Sequence, residues 1–203
     1  RKACAIKDVR EFEIVDLPEP KAKDGFVLID VTKTGICGSD LHYFTSGAPK
    51  GLVMGHEFCG RVVDPGVRDD LQVGDRVTAL PLSPCGKCEA CHKGDIQYCP
   101  STWQAAVGLS LDNPGGLTKR INVREDMVIK VPDTMQDEEV AMVEPTAVGL
   151  HAAHLGRIAV GDNVLVIGGG IIGLVSAMFA KLEGASKVVV TETNENRGKK
   201  TVK

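Results

Sequence analysis

Four of the seven cysteines lie close together, with the spacing Cys85-x2-Cys88-x2-Cys91-x7-Cys99. Two thiolates separated by two residues can reach one ion from a tight turn, and four thiolates form the tetrahedral shell that zinc prefers. Because four thiolates leave no open coordination position, this spacing predicts a structural zinc site in a lobe at 83–100. The alternative is a set of free surface thiols, which the regular spacing disfavours.

Two glycine-rich segments carry a second set of metal-ligand residue types. They read Gly-Ile-Cys37-Gly-Ser-Asp-Leu-His42 and Gly-His56-Glu57. Each is a weak signal alone, because a single cysteine is usually a small apolar core residue. Together, a cysteine, a histidine and an acidic third ligand would form a zinc site that leaves room for a substrate. Four glycines flank these segments, and we expect them to permit sharp backbone turns beside the site: Gly35, Gly38, Gly55 and Gly60.

A third motif, Gly168-Gly-Gly-Ile-Ile-Gly173, follows the apolar run 163–167 and precedes a predicted helix. The run is β-branched and does not alternate, which is typical of a parallel strand buried on both faces. In this context the motif predicts a dinucleotide site in which the helix N-terminus faces the phosphates. The predicted cofactor-binding residues of the motif are Gly168, Gly170, Ile171, Ile172 and Gly173.

An acidic residue, Glu192, follows the second predicted strand at 187–191. A carboxylate at this place accepts a hydrogen bond from the adenosine ribose 2′-OH and repels a 2′-phosphate, which favours NAD over NADP. Arg197 weakens this interpretation, because a nearby arginine can hold a 2′-phosphate. The alternative is that Glu192 is a surface residue that caps a helix.

The elements that must position these residues change in character along the chain. Short apolar runs between Gly and Pro turns predict an all-β, barrel-like domain in about the first 130 residues. Helices are predicted at 137–142 and 145–155, followed by a strand–helix–strand unit and by the start of another helix at 197–203. The predicted strands of the first part are 2–6, 12–17, 26–34, 58–64, 76–80, 116–123 and 127–130.

The strand–helix–strand unit contains only two parallel strands, which cannot cover their own faces. A complete doubly wound dinucleotide domain has about six strands. We therefore expect that the sequence is the N-terminal portion of a longer protein.

Composition excludes several classes of function. Lysine and arginine number 24, aspartate and glutamate 27, and the resulting net charge of −3 argues against nucleic-acid binding. No apolar run approaches the ~20 residues needed to cross a bilayer, so we expect no membrane insertion. The N-terminal residues lack the apolar block of a signal peptide, which predicts a cytoplasmic protein. Seven cysteines in such a compartment are not expected to form disulfides.

The order of these motifs, together with Val143-Glu-Pro145, resembles that of the zinc-dependent medium-chain alcohol dehydrogenases over essentially the whole sequence. Within that family the sequence is most similar to the branch of polyol (sorbitol/xylitol), butanediol and threonine dehydrogenases. The resemblance implies a chaperonin-10-like β-barrel catalytic domain at 1–145, which includes the lobe at 83–100. It also implies that a Rossmann domain starts at 146–203 and is truncated.

The resemblance also implies roles for individual residues. Cys37, His56 and Glu57 would be ligands of a catalytic zinc, and Glu144 would lie beside that zinc or its water. Whether Glu57, Glu144 or a water completes the shell is left open. The residues between Ser39 and Phe44 would serve the substrate side of the site: Asp40 would orient His56, Ser39 would bind the substrate hydroxyl, His42 would end a proton relay, and Tyr43 and Phe44 would line the pocket.

These implied parts predict an oxidoreductase that transfers hydride from the secondary alcohol of a polyol or diol to NAD. Two zinc ions per chain, a small-molecule alcohol or polyol substrate and a dimeric or tetrameric assembly are expected. Two alternatives stay open, namely a threonine dehydrogenase-like activity and a non-catalytic, zinc-stabilised binding protein of the same fold. A zinc-free reductase of the same superfamily is disfavoured, because such relatives lack ligands equivalent to Cys37 and His56.

Overall fold

A computed structural model describes residues 1–201. The chain divides into two compact units, Arg1–Met142 and Val143–Lys203. The last two positions of the predicted helix at 197–203 lie outside the described residues. Among the described residues, the longest helix has 13 residues, and none is both long enough and apolar enough to span a bilayer.

The first unit is mainly antiparallel β-structure. Strands β1 and β2 form a hairpin, and the other five form a sheet in the order β6-β3-β4-β5-β7. The strands and helices of this unit are β1 Lys2–Asp8, β2 Glu11–Asp16, β3 Phe26–Thr34, α1 Gly38–Ser46, β4 Phe58–Asp64, β5 Arg76–Ala79, α2 Glu89–Lys93, β6 Arg120–Arg124, β7 Val128–Lys130 and α3 Asp137–Ala141, with 3-10 turns at Ile96–Tyr98 and Glu125–Met127.

The core of this unit lies against the five-stranded sheet and is built mostly from β-branched residues, which pack well on a pleated surface. It includes Ile29 of β3, Phe58 of β4 and Val77 of β5, all fully buried. A smaller cluster of Ile6, Leu52 and Met54 lies behind β1. The sheet thereby forms a rigid support from which β3 and β4 present the residues at their ends.

The predicted strands agree with the structure except at 116–123, where β6 begins only at Arg120. The preceding residues pair elsewhere, because the N–H groups of Gly116 and Leu117 donate to the carbonyls of Gly55 and Met54 at 2.6 and 3.0 Å. Helix α1 has no counterpart among the predicted elements. The all-β interpretation of this region therefore missed α1, which begins directly after Cys37, and α2, which contains Cys91.

The second unit contains α4 Val143–Leu155, β8 Asn163–Ile167, α5 Ile171–Leu182, β9 Lys187–Thr191 and α6 Glu195–Thr201. Strands β8 and β9 are parallel and are joined by α5, as the sequence predicts. Helix α4 approaches α5 closely at Gly149, where a Cβ atom would lie 2.7 Å from Val175 Cγ1.

The prediction that β8 is buried on both faces is not met within the second unit. The side chains of Leu165 and Ile167 are 60% and 84% exposed. Among residues 143–201, α5 packs on the strand pair from the other side, so only one face of β8 is covered.

Candidate functional site

The four clustered cysteines converge on one point. Their Sγ atoms all lie within 4.8 Å of one another, with 3.5 Å between Cys88 and Cys91 and 4.0 Å between Cys85 and Cys91. A tetrahedral zinc with Zn–S bonds of about 2.3 Å requires sulfurs about 3.8 Å apart. The arrangement therefore fits a four-thiolate zinc ion.

Local backbone structure creates this arrangement. Cys88 is the N-cap of α2, which ends at Gly94 in the left-handed conformation with φ 85°. Backbone N–H groups support the thiolates: that of Cys85 donates to Cys99 Sγ at 3.3 Å and is the main reason that the pKa of Cys99 falls to about 6. Desolvation and the neighbouring thiols raise the pKa of Cys91 to about 11. A cation at the centre would favour the thiolate form of all four.

A second group forms where β3 ends and β4 begins. These strands are antiparallel and pair Thr34 with Phe58. The pairing continues by one step, because the Gly35 N–H donates to the Glu57 carbonyl at 2.6 Å. Cys37 and His56 lie just beyond this last pair, and the ligand atoms of Cys37, His56 and Glu57 come within 4.8 Å of one another.

The N-terminus of α1 ties the cysteine of this group to its histidine. Cys37 is the N-cap of α1, and its backbone N–H donates to Asp40 Oδ2 at 2.9 Å. The other oxygen, Asp40 Oδ1, lies 3.8 Å from His56 Nδ1, and neither atom has a hydrogen-bond partner among the described residues. With Nδ1 facing Asp40, the Nε2 atom of His56 is the nitrogen available to a metal.

Burial dominates the electrostatics of this group. The pKa of Asp40 is raised chiefly by loss of solvent, although the Cys37 N–H opposes the shift. Burial also raises the pKa of the Cys37 thiol, and donors from Ser39 act in the opposite direction. The residues present fit a divalent cation, because a half-buried Cys37 beside the buried His56 and Glu57 offers soft and hard ligands together, next to an Nδ1–Oδ1 pair that has no hydrogen-bond partner among the described residues.

The remaining predicted residues of α1 occupy different environments. Ser39 is half-buried beside the Cys37 sulfur and makes no well-formed hydrogen bond. His42 is exposed to solvent. Tyr43 and Phe44 pack against the Ile6–Leu52–Met54 cluster, and Phe44 also stacks on Phe12 with ring centroids 4.6 Å apart. These two aromatic side chains anchor α1 to the barrel, and their predicted role in a substrate pocket stays a prediction.

Only one of the four glycines expected to permit sharp turns has a positive φ. Gly55 has φ 101°, whereas Gly35 and Gly60 are required by space: a Cβ at Gly60 would lie 2.3 Å from Ile29 Cγ2. At Gly38 a Cβ would meet no described heavy atom within 4 Å. Gly35, Gly38 and Gly60 do not have a positive φ, so none of the three needs glycine for a left-handed conformation.

Glu144 belongs to the second unit, in the first turn of α4. Its predicted role near the metal stays a prediction.

The glycine motif links β8 to α5, and different features of the structure explain why glycine occurs at its positions. Gly168 has φ 107°. A Cβ at Gly173 would lie 1.9 Å from the Gly168 carbonyl oxygen, so Gly173 is required for helix–strand packing. Gly170 is the N-cap of α5, and a Cβ there would meet no described heavy atom within 4 Å. The free space in front of Gly170 and the adjacent Ile171 and Ile172 N-terminus suit the approach of a phosphate group.

Glu192 is held in place by four donors. One oxygen accepts the Gly169 N–H at 3.0 Å and the other accepts the Asn194 N–H at 2.8 Å. The Arg197 guanidinium binds both oxygens at 3.0 Å and is the main cause of the lowering of the Glu192 pKa to about 2. Arg197 therefore pairs with the carboxylate, and Glu192 is more than a surface cap.

Sequence reasoning missed two features of these sites. Helix α1 is started by a capping box, in which Cys37 and Asp40 exchange side-chain and backbone hydrogen bonds. An Asp three residues after a candidate N-cap is the signal that could have revealed it. The backbone contact of Gly169 with Glu192 was also missed, and no local pattern signals it.

Comparisons with known proteins identify the family of the chain. The family model for the alcohol dehydrogenase GroES-like domain matches residues 23–133. The chain is 38% identical over 198 residues to a sorbitol dehydrogenase of Bacillus subtilis, with 94% of this chain and 55% of the relative covered. It is 39% identical over 203 residues to a D-xylulose reductase of Scheffersomyces stipitis, with 95% and 55% covered.

A solved structure of a putative zinc-binding dehydrogenase from Sinorhizobium meliloti, bound to NADP, superposes with a TM-score of 0.89 at 31% identity. The match covers 98% of this chain and 58% of that one. The chain thus spans a little over half the length of the relatives it matches. On these matches, the chain belongs to the zinc-type medium-chain alcohol dehydrogenase family.

Proposed function

We propose that this chain holds the zinc sites and the dinucleotide motif of an enzyme that oxidises the secondary alcohol of a polyol or diol with NAD. The observation that carries the proposal is the convergence of Cys37, His56 and Glu57 beside the N-terminus of α1. The sorbitol and xylulose relatives support the polyol class. The proposal assigns 1–145 to the catalytic domain and 146–203 to the start of a Rossmann domain.

In this proposal Cys37, His56 and Glu57 hold the catalytic zinc, and Glu144 or a water contributes the remaining ligand. When bound, the zinc supplies Lewis acidity that polarises a substrate hydroxyl and makes its proton easier to remove. A carboxylate in place of a second thiolate makes the ligand set more favourable to oxygen ligands, which suits a polyol. The four cysteines of the lobe hold a second, structural zinc, because they leave no open position.

The chain's own residues then handle the proton. Asp40 Oδ1 faces His56 Nδ1 at 3.8 Å and would orient the ring when a metal binds Nε2, while Asp40 Oδ2 accepts the Cys37 backbone N–H. Ser39 Oγ lies beside Cys37 and accepts the proton of the substrate hydroxyl as it passes its own proton on towards His42. His42 is exposed on α1, so it can release the proton to solvent.

The dinucleotide motif provides the cofactor side. The N-terminus of α5 at Gly170 faces the pyrophosphate, and the Glu192 carboxylate accepts from the adenosine ribose 2′-OH. We propose NAD in preference to NADP, because Glu192 is ionised and Arg197 is already bound to it. One solved relative is bound to NADP, so the choice of cofactor is tested by comparing the activity with NAD and with NADP.

Zinc content tests the proposal. The wild-type protein is expected to hold two zinc ions by atomic absorption, and Cys37→Ser one. Cys4→Ser is the matched control, because Cys4 is a half-buried thiol outside both clusters, and it should keep two. A wild-type protein with one ion, retained in the cysteine lobe, would instead favour the non-catalytic binding protein.

Substrate class is tested separately by following NADH formation with sorbitol, xylitol, butanediol and threonine. Oxidation of the polyols or the diol supports the proposal. Oxidation of threonine alone would contradict the polyol assignment, and a preference for NADP would contradict the role given to Glu192.

A further inference from the structure

Gly35 lies at the end of β3 and contacts Glu57 through its backbone. The Gly35 N–H donates to the Glu57 carbonyl at 2.6 Å, and Thr34 Oγ1 donates to the same oxygen at 3.3 Å. The backbone bond extends the β3–β4 ladder by one step, and the Thr34 side chain supports the same carbonyl. The main chain of Glu57 is therefore fixed at the point where its side chain leaves the strand.

The Glu57 side chain fills the space that a side chain at position 35 would need. A Cβ atom built on Gly35 would lie 2.4 Å from Glu57 Oε2, 3.1 Å from Glu57 Cβ and 3.4 Å from Glu57 Cδ. Rotation of the carboxylate alone could move Oε2 away but would not move the Cβ atom. Glu57 is only 7% exposed, so its side chain has little free volume to move into.

The backbone conformation does not explain why residue 35 is a glycine. The φ angle of Gly35 is outside the left-handed region, so an L-residue could adopt it. What an alanine would change is the location of the Glu57 carboxylate, which lies within 4.8 Å of the ligand atoms of Cys37 and His56.

We infer that Gly35 is a positioning residue for the metal centre, because its missing side chain is what allows the Glu57 carboxylate to lie against Cys37 and His56. The inference rests on the proposed function, which makes these three residues zinc ligands. It goes beyond that proposal in assigning a role to a residue that carries no ligand atom. It also predicts that the effect of a side chain at position 35 passes entirely through Glu57.

Competition with a chromophoric chelator tests the inference, since it resolves the two zinc ions of the wild-type protein by affinity. We expect Gly35→Ala to lower the affinity for the zinc of the Cys37 group about 10–100-fold, which is the range for residues that orient metal ligands. The affinity for the ion of the cysteine lobe should stay unchanged. Gly38→Ala is the matched control, because a Cβ there meets no described heavy atom within 4 Å, and it should bind both ions as the wild type does.

A double-mutant cycle with Glu57→Ala gives the second readout. If Gly35 acts through the Glu57 side chain, adding G35A to the E57A protein should cause no further loss of zinc affinity. If the circular dichroism spectrum shows that G35A does not fold, the cycle compares the folded state of the variants instead of their zinc affinity. The G35A/E57A protein should then recover the folded spectrum.

Three results would overturn the inference while leaving the proposed function intact. These are wild-type affinity for both ions in G35A, an equal loss of affinity when G35A is added to E57A, and a G35A/E57A protein that is as unfolded as G35A. A wild-type protein that binds a single ion would instead refute the proposed function itself, so the two failures are distinguishable.

Discussion

Gly173→Ala sets two physical effects of opposite sign against each other. Gly173 lies in the first turn of α5, where alanine ordinarily stabilises a helix by about 0.5–1 kcal/mol relative to glycine. In this protein, however, the new Cβ would lie 1.9 Å from the Gly168 carbonyl oxygen and 3.4 Å from Val166 Cγ1. The first of these distances is far below any real Cβ contact, so the motif or the helix must move.

The size of that movement sets the magnitude. Real Cβ atoms essentially never approach a heavy atom within 3.0 Å, so the Gly168 carbonyl and α5 must separate by at least 1.1 Å. Overpacking of this kind typically costs about 1–3 kcal/mol. After subtraction of the helix-propensity gain, we expect a net loss of about 0.5–2 kcal/mol, equivalent to about 2–30-fold in the unfolding equilibrium constant.

Urea unfolding read by two probes provides the assay. Far-ultraviolet circular dichroism follows the helices, of which α4 and α5 are the longest, while fluorescence follows the single tryptophan, Trp103, in the first unit. Gly173→Ala should lower the dichroism midpoint, and the fluorescence midpoint reports whether the first unit is affected as well. The control is Gly198→Ala in α6, where a Cβ meets no described heavy atom within 4 Å, and it should stabilise by about 0.5–1 kcal/mol. A Gly173→Ala protein at least as stable as the wild type would refute the steric reasoning.

Three further predictions concern other parts of the molecule. Asp40→Asn should lower the affinity of the Cys37 group for zinc about 10–100-fold in chelator competition, because the neutral amide orients His56 less strongly than the carboxylate does. An unchanged affinity would contradict the role that we give to Asp40. The pKa of Glu192 is lowered to about 2 from 4.5, so the ionised form favours folding, and its contribution is complete above about pH 5 and lost as the pH falls towards 2. Glu192→Gln should therefore be less sensitive to acid over this range, and an unchanged acid profile would show that Glu192 makes no such contribution. Gly60→Ala should cost about 1–3 kcal/mol in urea unfolding, because the added Cβ would lie 2.7 Å from the Asp30 carbonyl oxygen, and a stable variant would show that the sheet yields there.

How far each site could be predicted depends on how much of it is local in the sequence. The cysteine lobe lies between residues 85 and 99, so its spacing alone predicts the convergence that the structure shows. The glycine motif is equally local, and the parallel strands on either side of α5 agree with the prediction. The assignment of individual site residues as zinc or cofactor ligands stays a prediction.

The Cys37 group could be predicted in composition but not in geometry. Its assembly depends on the register of β3 and β4, which shifts between Val31 and Lys33 through a bulge that no local pattern reveals. A shift of one residue would move Glu57 away from Gly35 and turn side chains to the other face of the sheet. The space around Gly35 and Gly60 is likewise a property of the neighbouring strand, which no local pattern in the sequence reveals.

The different chain separation of the two ligand sets has a consequence for biosynthesis. Bringing together ligands from one short loop costs little chain entropy. Ligands carried on two paired strands come together only after the long-range β contacts have formed. If both proposed zinc ions bind, the cysteine lobe can take up its ion on a largely unfolded polypeptide, while the Cys37 group gains affinity only after β3 and β4 have paired. Under zinc limitation, newly made chains should then accumulate with one ion, held in the lobe, before the second ion binds.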